Sequence, residues 1–285
     1  MKKTKIDWAD STWNPVTGCL HDCEYCYARG IAERFGTNWI PDENSGTYKC
    51  VLDGMETHAI IELDGMQARR QEDGKIVPAP YPLGFTPTLH RYRLDEPRRW
   101  TKPRTIFVCS MADLFGEWVP DEWIQQVFEA CKAAPWHRYL FLTKNPDRYF
   151  SLHSNGELPN EKNFFYGITM DTKWSALKGV RILITNELGA AIGGNRFNHA
   201  NFFASVEPML EDFGQVVSGL IAVHVPWIII GAETGRRKDI VKPEKEWVMR
   251  LSVQSKKLGG AVFMKESIRE IMGDDFRQEF PWREE

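Results

Sequence analysis

The chain has 285 residues, of which 42% are hydrophobic, so it is long enough to bury the core of one large domain or of two small ones. Its net charge of −3 excludes a global basic field of the kind that nucleic-acid-binding proteins carry. The amino terminus lacks an apolar signal segment, and the most apolar run, residues 219–231, is too short to span a bilayer. We therefore expect a cytoplasmic protein with no membrane partner, in which clustered cysteines favour metal ligation or redox chemistry over disulfides.

The segment NPVTGCLHDCEYCYAR (14–29) places Cys19, Cys23 and Cys26 within eight positions. Three thiolates from one loop can each ligate one iron of a four-iron cluster, which leaves the fourth iron open to a substrate or cofactor. Structural zinc sites usually need four protein ligands, and His21 is a cramped candidate for the fourth. The other cysteines stand alone in the sequence: Cys50, Cys109 and Cys131. A cluster, a zinc site and redox or packing cysteines therefore all stay open at this point.

Residues 40–82 interrupt the pattern of the rest of the chain. They are polar and contain Asp-Gly turn signals at 53–54, 64–65 and 73–74. We expect a β-rich insertion that forms a lid or rim on a single domain spanning residues 1–285.

Residues 90–104 contain six Arg or Lys residues, interleaved with Tyr92 and Trp100. Such a mixture can follow a phosphate backbone and stack an aromatic ring on a base. Asp95 and Glu96 neutralise part of the charge, so a solvated connection is the alternative interpretation.

Short apolar runs alternate with amphipathic stretches through the rest of the chain. Continuous apolar runs are typical of strands buried on both faces of a parallel sheet. The predicted strands cover 105–110, 138–143, 164–169, 202–206, 227–231 and 261–265. The spacing of apolar residues predicts helices over 120–134 and 242–260. With a first strand before Cys19, about seven strands are available, and the alternation predicts an α/β fold, a full or partial (β/α) TIM-type barrel.

The stretch CLHDCEYC resembles, position by position, the C-x3-C-x-aromatic-C signature of radical S-adenosylmethionine (SAM) enzymes. Five longer stretches resemble landmarks of a phage-associated, radical-SAM-like family known for its three-Cys motif: IDWADSTWNPVTGC, RYRLDEPRRWTKPRTIFVCSMADLFGEWVPDEWI, FLTKNPDRY, ASVEPML and IIIGAETG. This resemblance implies a [4Fe–4S] cluster on Cys19, Cys23 and Cys26, with SAM on the open iron. It also implies an electron donor such as a flavodoxin or ferredoxin, and it places Tyr25 near the adenine.

The resemblance implies that SAM binds at the carboxyl ends of the barrel strands. The candidate cofactor-binding residues are Tyr25, Ser110, Asp113, Lys144, Thr169 and Asp171. Ser110 and Asp113 are candidate acceptors for the SAM ammonium, although the Gly-Gly-Glu motif common in radical SAM enzymes is absent there. The structural alternatives are helix caps for Asp113 and Asp171 and a solvated lysine for Lys144.

Glu207, Glu233 and Lys265 are the candidate catalytic residues, because each directly follows an apolar run. Two carboxylates that converge on one cavity can bind ribose hydroxyls, or act as acid and base if their pKa values are shifted. The alternative is that the glutamates form structural salt bridges to Arg236, Arg237 or Lys265.

The leading hypothesis is a radical SAM enzyme that modifies or repairs a substrate, with a nucleic acid or nucleotide as the candidate. A non-catalytic phage protein, stabilised by zinc or a cluster and able to bind nucleic acid, is the alternative. A barrel that has lost SAM binding is a third hypothesis, since the Gly-Gly-Glu motif is missing.

Overall fold

The computed structural model describes residues 4–36, 39–40, 51–52, 59–191, 201–235 and 237–282. The chain divides into two compact units. We call residues 9–139 the amino-terminal unit, and residues 1–8 with 140–285 the carboxy-terminal unit. Within the described ranges, none of the helices has the length and apolar character needed to cross a membrane.

Strands and helices alternate through most of the described chain. The strands are β1 Ser11–Trp13, β2 Val16–Thr17, β3 Trp39–Ile40, β4 Val51–Leu52, β5 Ala59–Leu63, β6 Gln67–Arg70, β7 Ile76–Ala79, β8 Thr88–His90, β9 Thr105–Val108, β10 Arg138–Thr143, β11 Phe164–Thr169, β12 Phe202–Val206, β13 Trp227–Ile230 and β14 Ala261–Met264. The α-helices are α1 Tyr27–Gly36, α2 Glu96–Arg99, α3 Asp121–Lys132, α4 Pro146–Ser154, α5 Lys173–Ala191, α6 Gly214–His224, α7 Lys245–Lys257 and α8 Arg269–Met272. Short 3-10 helices cover Arg91–Arg93, Glu266–Ile268 and Gly273–Asp275.

The carboxy-terminal unit is built on strands in the order β10-β11-β12-β13-β14. From β11 onward each neighbour is parallel, with Ile168 opposite Ala204 and Ser205 opposite Ile229. Every residue of β11, β12 and β13 is buried. This burial explains why their sequences are continuously apolar instead of alternating.

In the amino-terminal unit, β1 lies parallel to β9, with Thr12 opposite Phe107. A second sheet has the order β2-β8-β5-β4, and a third has the order β3-β6-β7. Strands β6 and β7 are antiparallel and are joined by a turn in which Gly74 has φ +83°. That backbone conformation favours glycine, and it accounts for the Asp-Gly signal at 73–74.

The predicted α/β architecture is confirmed, since all six apolar runs form strands and both predicted helices form at α3 and α7. A strand before Cys19 is also present, as β1. The turn signal at 53–54 lies outside the described residues, and residues 59–79 contribute strands β5 to β7. The lid role of the insertion and the single domain stay predictions.

Gly167 in β11 offers a test of this packing. A Cβ at Gly167 would lie 2.3 Å from the Phe203 ring of the neighbouring strand, so Gly167→Ala forces the buried ring to move. We expect a loss of about 1–3 kcal/mol in the free energy of unfolding, measured with urea. Gly219→Ala in α6 is the matched control, because nothing lies within 4 Å of its Cβ position, and it should stabilise by about 0.5–1 kcal/mol. Equal effects of the two changes would contradict this packing.

Candidate functional site

The cysteine loop, residues 19–26, begins at a glycine that no other residue can replace without strain. Gly18 has φ +88°, and a Cβ there would lie 2.2 Å from the carbonyl oxygen of Thr86. The Gly18 N–H donates to the Met111 carbonyl at 2.9 Å, and the Cys19 N–H donates to the Phe85 carbonyl at 3.2 Å. The start of the loop is therefore fixed to two neighbouring segments of the amino-terminal unit.

The thiols of Cys19, Cys23 and Cys26 are partly buried. Burial raises the pKa of the Cys19 thiol to about 12, and the negative charges of Asp113, Cys23 and Cys26 act in the same direction, while the backbone N–H of His21 opposes them. Cys23 and Cys26 therefore lie close enough to Cys19 to influence its ionisation. The Cys26 N–H donates to the Cys23 carbonyl at 3.1 Å, just before α1 begins at Tyr27.

Asp113 and Ser110, the predicted ammonium acceptors, are already engaged within the amino-terminal unit. Asp113 is buried; its Oδ2 lies 2.7 Å from His21 Nε2, and its Oδ1 accepts the Phe115 N–H at 3.0 Å. Ser110 Oγ donates to Asn14 Oδ1 at 3.1 Å, and its carbonyl accepts the Tyr27 hydroxyl at 2.8 Å. The hydrogen bond from the Phe115 N–H forms a local turn at Asp113, as the capping alternative expects. The assignment of Ser110 and Asp113 as acceptors for the SAM ammonium therefore stays a prediction.

Three thiols from one loop are a donor set that a four-iron cluster can use, or a zinc ion if a fourth ligand joins them. Within the described parts of the chain, no three His, Cys, Asp or Glu side chains are placed to hold a metal ion. A zinc site needs ligand atoms that converge at about 2.0–2.3 Å from one ion, whereas in a cluster each thiolate binds a different iron. The buried indole N–H of Trp118, whose ring packs against His21, has no hydrogen-bond partner among the described residues. A bound group beside the loop would supply such a partner.

In the carboxy-terminal unit, Lys144 and Asp171 meet at the carboxyl ends of β10 and β11. Lys144 Nζ lies 2.5 Å from Asp171 Oδ2, and Ser175 Oγ donates to Asp171 Oδ1 at 2.8 Å. The start of α5 is capped by Thr172, whose Oγ1 accepts the Ser175 N–H at 3.2 Å. Thr169 is buried in β11 opposite Ser205. Lys144 is therefore paired with an acid, whereas the structural alternative was a solvated lysine. The helix-cap role that was considered for Asp171 belongs to Thr172.

Glu207 and Lys265 form an ion pair that crosses the end of β13. Glu207 follows β12 and Lys265 follows β14, so the two side chains meet above the strand that lies between them. Gly231 ends that strand, and a Cβ there would lie 2.9 Å from Lys265 Cδ and 3.3 Å from Glu207 Cγ. The absence of a side chain at this position makes room for the pair.

Glu233 is held by two donors on one arginine. Arg237 Nε lies 2.9 Å from Glu233 Oε1, and Arg237 Nη2 lies 2.9 Å from Oε2. The bidentate hydrogen bond lowers the pKa of the Glu233 carboxyl, the Val241 N–H lowers it further, and burial opposes both. Glu207 and Glu233 thus form the salt bridges to Lys265 and Arg237 that were considered as the alternative to a catalytic role. Arg236 and Cys50 lie outside the described residues.

Some of the basic side chains in segment 90–104 are buried or paired within the protein. Arg93 is buried and donates to the carbonyls of Asn14 and Pro80, at 3.0 and 2.9 Å. Arg91 pairs with Glu62, and Arg104 lies 5.0 Å from the centre of the Trp100 ring. The exposed cations of the segment are Arg91, Arg98, Arg99 and Lys102. A nucleic-acid surface here would therefore be smaller than the sequence indicates.

Sequence reasoning missed three residues that shape the cysteine loop: Asn14, His21 as a partner of Asp113, and Trp118. Asn14 follows β1 directly, so the rule that polar residues at strand ends form sites could have identified it. The His21–Asp113 contact joins residues 92 positions apart, and no local pattern signals it. Cys109 and Cys131 are buried, in agreement with their interpretation as packing residues.

Comparison with known proteins gives a family and a fold. The profile of the family described as "Protein of unknown function (DUF5131)" matches residues 3–269. No curated protein sequence matches the chain.

Three solved structures of spore photoproduct lyase are similar to this chain. One is a cysteine-to-serine mutant and another is complexed with dinucleoside spore photoproduct, each at TM-score 0.50 and 10% identity, over 93% of this chain and 79% of theirs. The third, a cysteine-to-alanine mutant with dinucleoside spore photoproduct, has 11% identity at the same TM-score and coverage. Identities this low show a shared fold, which agrees with a partial TIM-type α/β fold.

The Glu233–Arg237 pair predicts a dependence of stability on pH. The folded pKa of Glu233 is lowered below the ordinary value of 4.5, so its contribution is complete above pH 4.5 and is lost as the pH falls through the folded value. Glu233→Gln should cost about 1–2 kcal/mol in urea unfolding at pH 7 and progressively less below pH 4.5. Glu129→Gln, which removes an exposed partner of Lys132, should change stability by less than about 0.5 kcal/mol at either pH. A Glu233→Gln deficit that does not shrink in acid would contradict the assignment.

Proposed function

We propose that this chain, which belongs to the DUF5131 family, is a radical SAM enzyme that acts on a nucleic acid or nucleotide. In this proposal Cys19, Cys23 and Cys26 hold a [4Fe–4S] cluster, and a flavodoxin- or ferredoxin-type protein supplies the electron. When bound, the cluster and SAM supply a 5′-deoxyadenosyl radical that abstracts a hydrogen atom from the substrate.

The observation that carries the proposal is the cysteine loop in its structural setting. Three cysteine thiols lie in one short loop after the first parallel strand, and all three are partly buried. The fold is similar to that of spore photoproduct lyase, a radical SAM enzyme. A three-thiol loop in such a fold suits a cluster with one open iron better than it suits structural zinc.

Two properties of the three thiols bear on cluster binding. Partial burial of the three thiols limits access of water and oxygen to the site. Solvent exposure and hydrogen bonds to sulfur also set the reduction potential of an iron–sulfur cluster. Because the pKa of Cys19 is raised to about 12, its proton must leave when iron binds. An iron bound at this position would take the place of the Cys19 proton.

The polar groups of the carboxy-terminal unit are the proposed contacts for ligand charges. Lys144 is held by Asp171, so a ligand carboxylate must compete with Asp171 for the ammonium. Asp171 keeps its hydrogen bond from Ser175 when Lys144 turns away, which lowers the cost of that exchange. Thr169, Glu207, Glu233 and Lys265 stay predicted contacts, with Glu207 and Lys265 able to exchange partners in the same manner.

Two observations support a nucleic acid or nucleotide as substrate. Two of the similar structures contain dinucleoside spore photoproduct. In this chain, the exposed Arg98 and Lys102 lie on either side of Trp100, a combination suited to phosphate contacts beside an aromatic ring.

The cluster is tested by anaerobic reconstitution. We expect about four irons per chain, and release of 5′-deoxyadenosine on addition of dithionite and SAM, because three thiolates leave one iron open. Cys19→Ala, Cys23→Ala and Cys26→Ala should each lower iron content and abolish SAM cleavage. Cys131→Ala, in a buried core position, is the control that should keep both. One zinc per chain with no SAM cleavage would overturn the proposal and favour the non-catalytic alternative.

Nucleic-acid recognition is tested by the salt dependence of binding. The dissociation constant for a labelled DNA or RNA oligonucleotide is measured at several salt concentrations by fluorescence anisotropy. The double variant Arg98→Ala, Lys102→Ala should lower the logarithmic salt slope by about two, since each phosphate contact contributes about one. Lys132→Ala removes an exposed lysine of α3 and should leave the slope unchanged. Absence of salt-dependent binding by the wild type would remove nucleic acid from the proposal.

A further inference from the structure

His21 occupies the centre of the cysteine loop and is anchored outside it. Its Nε2 lies 2.7 Å from Asp113 Oδ2, a distance typical of a charge-assisted hydrogen bond. The imidazole also meets the Trp118 ring edge-on, with ring centres 4.8 Å apart. One nitrogen of the imidazole and its ring contact are therefore fixed by residues that follow β9.

The anchor itself is rigid. Asp113 is buried, and its second oxygen accepts the Phe115 N–H, so the carboxylate cannot rotate without losing a hydrogen bond. Trp118 packs over Gly116, where a Cβ would lie 2.4 Å from the indole ring. The absence of a side chain at Gly116 thus gives Trp118 the position from which it contacts His21.

The rest of the loop depends on this anchor for its path. Asp22, directly after His21, has φ +53°, which an Asp residue adopts at a local cost, and its carboxylate pairs with Arg29 while the side chain is 89% exposed. Exposed pairs of this kind contribute little. The His21–Asp113 bond is partly buried, and it is therefore the stronger restraint on the segment between Cys19 and Cys23.

We propose that the His21–Asp113 hydrogen bond is a latch that holds the three thiols in position for the cluster, which makes Asp113 a positioning residue. The inference rests on the proposed function only in assigning the loop to an iron–sulfur cluster. It gives His21 a role other than metal ligand, and it gives Asp113 a role other than binding the SAM ammonium.

Four variants separate the latch from the neighbouring groups. His21→Phe keeps a ring against Trp118 and removes the nitrogen that binds Asp113. Asp113→Ala removes the anchor, whereas Asp113→Asn can still bond both to His21 and to the Phe115 N–H. Asp22→Asn is the matched control, because it alters the exposed acid beside His21, and Asn tolerates a positive φ.

The first readout uses the iron-free protein. Alkylation of each cysteine is followed by peptide mass spectrometry, with the buried Cys109 and Cys131 as internal standards. We expect His21→Phe and Asp113→Ala to raise the alkylation rates of Cys19 and Cys23 about tenfold, the scale expected for losing one hydrogen bond to a charged group. Asp113→Asn should lie near the wild type, and Asp22→Asn should match it. Wild-type rates in both His21→Phe and Asp113→Ala would overturn the latch.

The second readout uses the reconstituted protein. Iron content, the electron paramagnetic resonance spectrum and the midpoint potential of the reduced cluster should change in His21→Phe and Asp113→Ala, and Asp113→Asn should restore them. If iron content, spectrum and midpoint potential are all unchanged in both His21→Phe and Asp113→Ala, the inference is also overturned. If Asp113→Ala fails to fold, as judged by circular dichroism, His21→Phe decides. If the wild type itself binds no iron, the proposed function fails, while the alkylation rates still decide whether the latch exists.

Discussion

Burial of the parallel strands on both faces is the constraint from which the rest of the structure follows. Every side chain of β11, β12 and β13 is inside the protein, so these strands carry no exposed polar groups along their length. Charged side chains are therefore confined to positions beyond the ends of these three strands. Parallel strands bring those positions to one edge, and a charge placed there needs a partner of opposite sign. The ion pairs of Glu207 with Lys265 and of Lys144 with Asp171 are the consequence.

These pairs differ in how readily a ligand can open them. Glu233 has both oxygens on the guanidinium of Arg237 and a 2%-exposed side chain, so exchange would cost two charge-assisted hydrogen bonds. Lys144 is 26% exposed and makes its described contact with one oxygen of Asp171, while the other oxygen has its own donor in Ser175. Glu233 is therefore suited to holding the end of β13 in place, and Lys144 is suited to meeting an anionic ligand.

The sequence predicted what depends on local pattern. Six apolar runs became strands because continuous burial leaves a continuous apolar signature. The cysteine spacing singles out residues 19–26 because the three cysteines are neighbours in the chain, and their role as ligands stays a prediction. It did not predict pairings between distant residues, such as His21 with Asp113. It also overestimated the exposed charge of residues 90–104. Arg93 is buried there because its guanidinium binds two backbone carbonyls, and composition alone does not distinguish a buried arginine from a solvated one.

The nature of the bound metal determines how a loop of this kind must be supported. A single zinc ion draws its ligands to one point, so the metal itself holds a short loop in shape. A four-iron cluster binds each thiolate through a different iron and leaves one iron without a protein ligand, so three protein bonds must position the whole group. A loop with only three ligands therefore gains from restraint by groups that do not touch the metal. In the proposed arrangement, the fixed backbone at Gly18 and the partly buried contact from His21 to Asp113 provide that restraint on the segment from Cys19 to Cys23.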